Sequence, residues 1–138
     1  MSWRALADLI VAIHAAYVAF VVFGFAAIPL GAAAGWRWIG NGYFRLAHLA
    51  AILAVCVETL VGMTCPLTTL ENALRERGGA AGYAGDFIGH WLDWLIFYNA
   101  PAWVFTILYL AFGACVAATL WLVPPRMPWR DAHSGGPR

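Results

Sequence analysis

Asp86, His90, Asp93 and Phe97 fall within about 60° of one another on a helical wheel, in a stretch that is otherwise apolar. A carboxylate one turn from an imidazole fixes its tautomer and raises its basicity, which suits proton handling or ligand binding. A second apolar stretch carries His48 and Glu58 near one face, with Arg45 to its side. A third carries His14 alone. Ionisable groups at membrane depth are costly, and each is a functional candidate. Each also has a plainer reading. The Asp86–His90–Asp93 stripe reads equally as the wet face of an interfacial helix. Glu58 reads as interhelical glue or as a snorkelling side chain, and His14 as a satisfied core imidazole. Cys65, just before Pro66, is a candidate reactive thiol, because a helix N-terminus follows it.

The elements that must position these groups are membrane helices. Of 138 residues, 63% are hydrophobic and 11% charged, against about a quarter charged in soluble domains. Leu9 to Trp36 and Trp94 to Pro125 contain no Asp, Glu, Lys or Arg. A membrane helix needs about 20 apolar residues. Leu6 to Leu30, Phe44 to Met63 and Ala102 to Val123 meet that length. Tyr83 to Tyr98 would reach only about 24 Å, so it either crosses a thinned bilayer or lies at the interface. The expected fold is an all-α bundle of four transmembrane helices, the third short, forming one domain over residues 1–125. A polar tail, 126–138, is expected to be disordered. The first apolar run is read as a retained anchor, since Asp8 and His14 interrupt it.

Thr68 to Glu71 has the spacing of a capping box, with Thr68 as N-cap. Glu71 and Arg75 are spaced for an ion pair, as are Arg4 and Asp8. Leu67, Leu70 and Leu74 share a face and Gly78-Gly79 ends the turn, so the 64–82 loop is expected to hold a short amphipathic helix lying on the inner surface. With four spans, six arginines fall on the side of the termini and only Arg37 and Arg45 on the other. That predicts cytoplasmic termini; three spans would give a weaker split of five against three. The aromatic belts would then be Trp3, Tyr83, Trp121 and Trp129 inside, and Trp36, Trp38, Tyr43, Tyr98 and Trp103 outside.

The net charge of +1 provides no basic field to attract nucleic acid. The three cysteines form no CxxC and no Cys/His pair at zinc spacing, so no metal site is expected. No nucleophile elbow, zinc-protease helix or phosphate loop is present, and whether the chain catalyses any reaction stays open.

The runs His14–Gly24, Gly40–Leu49 and Glu58–Asn72, with Phe87 to Tyr109, resemble a bacterial membrane family catalogued as domain of unknown function 2784. The most specific piece is Cys65-Pro66-Leu67-Thr68 with the following Glu71. The resemblance implies a small multi-helix protein of the bacterial inner membrane and supplies no substrate or catalytic residue.

Two functional readings compete. In one, His14, Glu58, His90 and Asp93, with Asp86, Arg45 and His48 as further candidates, build a buried site for haem, a quinone or a proton. Haem b would need two facing imidazoles at matched depth, and His14 with His90 is the pair to consider. In the other, the chain is a non-catalytic accessory subunit, its polar groups serve as glue, and Trp91 and Trp94 face a membrane protein partner or a second copy. Lipid is the expected environment in both.

Overall fold

A computed structural model describes residues 2–82, 87, 88, 90, 91 and 101–126. These residues build α1 (Trp3–Ala33), a 3-10 turn (Arg37–Gly40), α2 (Gly42–Leu60), α3 (Pro66–Arg77) and α4 (Ala102–Leu122). Phe87, Ile88, His90 and Trp91 also have helical backbone. The architecture is all-α, and α1, α2 and α4 are each long and apolar enough to cross a membrane. Asp86, Asp93, the rest of segment 83–98 and the tail from residue 127 lie outside the described residues.

Local chemistry sets the helix ends. Ser2 caps α1 by accepting from the Ala5 N–H at 3.3 Å, and Asn41 caps α2 by accepting from Tyr43 at 2.9 Å. Pro29 does not end α1, which continues to Ala33; a proline costs one backbone bond, and in lipid neighbouring elements tolerate that locally. α2 closes in a Schellman motif. The Met63 N–H donates to Glu58 O at 2.8 Å, and the Gly62 N–H to Thr59 O at 3.3 Å. This needs φ of +69° at Gly62, which only a residue lacking Cβ adopts cheaply. The reversal turns the chain into α3. There Cys65 is the N-cap and Pro66 opens the first turn, the position where a missing N–H costs least. Thr68 is therefore inside the helix, and the expected capping box does not form.

α1 and α2 are antiparallel. The His48 Nε2–H donates to Val21 O at 2.8 Å, and the Tyr17 hydroxyl donates to Ala51 O. α4 is antiparallel to α2. Arg45 reaches the end of α4, while Cys56 lies beside Tyr109 and Gly113. Val21, Ile52, Cys56 and Val116 form the core where the three helices meet.

α3 makes its main contact with the first half of α1. Arg4 Nε donates to Gly78 O at 3.1 Å, and the Arg77 guanidinium lies 5.5 Å from the Trp3 ring. Among the described residues Arg4 forms no ion pair with Asp8, because its side chain is drawn to the carbonyl at the end of α3 instead. Ala7, Thr68 and Glu71 are fully enclosed between the two helices. The expected Glu71–Arg75 ion pair is present at 2.8 Å.

This packing sorts the ends of the bundle. Arg126 N–H donates to Gly40 O at 2.7 Å, in an isolated bridge between Asn41 and Arg126. The end of α4 thus lies beside the start of α2, opposite the start of α1. Among the described residues α1 and α4 run parallel, so the start of α1 and the end of α4 lie at opposite ends of the bundle. Among the described aromatics, Trp3 and Trp103 lie at one end of the bundle and Trp36, Trp38, Tyr43 and Trp121 at the other. Gly62 and Ala102 line one cavity, so the connection from α2 to α4 leaves and returns at the same end.

Candidate functional site

His14, Tyr17, Val18, Val21 and Val22 stand on one face of α1, at spacings of three, four and seven that bring residues together on a helix. This face looks onto a cavity of about 470 Å³ completed by residues of α2, α4, the 62–65 reversal, Phe87 and Ile88. Its polar groups gather at one end. His14 comes from α1, Glu58 and Thr59 from the last turn of α2, Thr64 and Cys65 from the reversal, and Thr106 from the start of α4. The other end, around Val21, Val22, Ile52 and Phe112, is apolar. Mostly apolar lining with a few convergent polar groups is what small-molecule sites look like.

His14 is 5% exposed, and its Nδ1 has no hydrogen-bond partner among the described residues. Its ring stacks on Phe87, with centroids 4.0 Å apart, and it lies within electrostatic reach of Glu71 on α3. A buried polar atom without a partner costs about 1–3 kcal/mol, and such an atom in a native structure calls for an explanation. Tyr17 lies within electrostatic reach of Glu58 and Cys65. The hydroxyls of Thr59 and Thr106 donate back to Val55 O at 2.8 Å and Ala102 O at 3.3 Å.

Cys65 is half-buried, and burial pushes its thiol above the ordinary range. Glu58 beside it adds to that shift, while the Leu67 and Thr68 backbone N–H groups pull the other way. A raised thiol is a poor nucleophile at neutral pH. Maleimide labelling of Cys65, followed by peptide mass spectrometry, is therefore expected to be slow at pH 7 and to accelerate as pH rises. Glu58→Gln removes a negative neighbour, lowers the thiol's pKa and should speed labelling at pH 8 by about twofold or more. An unchanged or slower rate would contradict the coupling.

Arg45 and His48 are drawn into architecture. Arg45, 2% exposed, donates through Nη2 to Thr119 O at 2.7 Å, Val123 O at 2.9 Å and Thr119 Oγ1 at 3.3 Å. It closes the carbonyl end of α4, where a helix favours positive charge. His48, 1% exposed, is held by Val21 O and flanked by Phe20 and Phe44. Neither lines the cavity. His90 is also not a lining residue. Of the candidates named from sequence, the cavity gathers His14, Glu58 and Cys65. Asp86 and Asp93 lie outside the described residues.

Residues 4–125 match a family described as Protein of Unknown function (DUF2784). The chain belongs to this family. No curated protein matches the chain, and no solved structure does. The family match covers every residue of the cavity. Sequence reasoning missed Tyr17, although it lies three residues from His14 on the same face. It also missed Thr119, whose link to Arg45 spans 74 positions and leaves no local signal.

Proposed function

We propose that this protein binds a small membrane-soluble molecule in the cavity between α1, α2 and α4, with His14 and Glu58 at its polar end. The observation that carries this reading is His14 Nδ1, a buried polar atom in the cavity wall with no protein partner among the described residues. A ligand that hydrogen-bonds to it would remove its penalty. A bilayer-dissolved molecule of quinone size suits the cavity better than haem b, because His14 is the one imidazole among the described lining residues. Bis-imidazole ligation needs a second. In the proposed placement α1, α2 and α4 cross the bilayer, so the start of α1 and the end of α4 emerge on opposite faces. Among the described residues the arginines divide evenly, Arg4, Arg75 and Arg77 against Arg37, Arg45 and Arg126, so their charge sets no orientation. The accessory-subunit reading would use the exposed rings of Phe23, Tyr43 and Trp121, which lipid contact explains equally well.

The test is retention and its stability cost. Protein purified in mild detergent should release about one small apolar molecule per chain on solvent extraction, as a single site requires. His14→Phe keeps a ring against Phe87 but removes the orphan nitrogen. It should lose the molecule while stabilising the stripped protein by about 1 kcal/mol. An empty wild-type extract, or a His14→Phe variant that retains the molecule, would defeat the reading.

A further inference from the structure

The ligand's charge can be read from the cavity wall. Glu58 is the one acidic side chain among the described lining residues, and no arginine is among them. The chain has no lysine. Arg45 is engaged on the end of α4, and Arg75 on Glu71. Among the described lining residues the His14 imidazole is the one basic side chain, so no permanent cation faces Glu58 across the cavity. Tyr17, Phe87, Phe105 and Tyr109 also line the cavity, and aromatic rings attract cations and repel anions at their faces. Carboxylate and rings act together in an apolar, poorly screened setting, where a single charge selects strongly by sign.

We infer that the cavity takes a lipophilic organic cation, its positive charge beside Glu58 and its apolar body directed toward Val21 and Phe112. This deepens the binding reading above and rests on it. Anionic amphiphiles, phospholipid phosphates included, are excluded by the same charge. Glu58 acts through its sign, which separates it from a carboxylate that merely hydrogen-bonds a neighbouring helix.

Tetraphenylphosphonium and tetraphenylborate share size and shape and differ in sign, so they isolate this term. Binding of each to the full-length protein in a neutral detergent is measured by equilibrium dialysis, with decylubiquinone as an uncharged third probe. Tetraphenylphosphonium should bind saturably, at least about tenfold tighter than tetraphenylborate. Glu58→Gln should bring the two affinities to within about threefold, and Glu58→Asp should keep the preference for the cation. Thermal unfolding of each variant shows that it is folded. Equal affinities for the two ions, or a preference that survives Glu58→Gln, overturns the inference. Saturable decylubiquinone binding without tetraphenylphosphonium binding also overturns it, and leaves the cavity reading standing. If none of the three binds saturably, both fall.

Discussion

Replacing Arg45 by Met should destabilise the protein by about 2–4 kcal/mol, since each buried acceptor left without its donor costs about 1–3 kcal/mol. The side chain is enclosed, and three acceptors depend on it: Thr119 O, Val123 O and the Thr119 hydroxyl. Methionine fills most of the volume but donates nothing, so the last carbonyls of α4 lose their partner where water cannot replace it. Arg45→Lys should recover part of the loss. An ammonium supplies charge and donors but lacks the planar fork that spans separated acceptors. Thermal unfolding in detergent gives the ranking, and hydrogen exchange at the last turn of α4 should rise in the methionine variant. A fully stable Arg45→Met protein would show that the arginine's enclosure is incidental.

The second large effect is expected at Gly24. A Cβ built there would lie 2.5 Å from Cδ2 and 2.8 Å from Nε2 of His48. The imidazole cannot easily retreat, since Val21 O holds its Nε2–H and Phe20 and Phe44 flank it. Alanine normally improves a helix interior by about 1 kcal/mol over glycine. Here overpacking should outweigh that, for a net loss of about 1–3 kcal/mol. His48→Ala would open the space, so the double variant should be clearly less destabilised than the sum of the single changes. Additivity, or a stabilised Gly24→Ala protein, would mean that the helices separate without cost.

The helices were legible because their signal is local. Apolar runs are read within a few residues. The direction of α4 was not legible. Counting arginines treats each as a charge in water, yet Arg45 is buried on a helix end, and Arg126 is tied through its backbone to Gly40. α3 posed a similar problem. Its apolar face is compatible with a lipid surface or with another helix, and periodicity alone cannot tell the two apart. Only the enclosure of Ala7, Thr68 and Glu71 shows that it lies along α1. Thr68 was misread as a cap because its spacing to Glu71 fits a box. The Pro66 signal two residues earlier decides the start.

His14 and Glu58 could be nominated from sequence because a polar residue in an oily helix is conspicuous. The cavity could not, because it is empty volume between segments far apart in the chain. Tyr17 illustrates the limit. An aromatic in an apolar run looks like any other core residue until a carbonyl is found at its hydroxyl.

α1 holds 31 residues, a rod of about 46 Å, while a bilayer's oily layer measures about 30 Å. Tilt alone would have to be steep to hide the difference, and α3 offers another solution by sheathing the surplus. In the proposed placement the molecule then has a mast rising from the lipid, with Trp3 and Arg77 at its head and His14 near its foot. Water-borne molecules meet the masthead first. Those dissolved in lipid would meet the foot, beside the cavity that His14 lines, without passing through water.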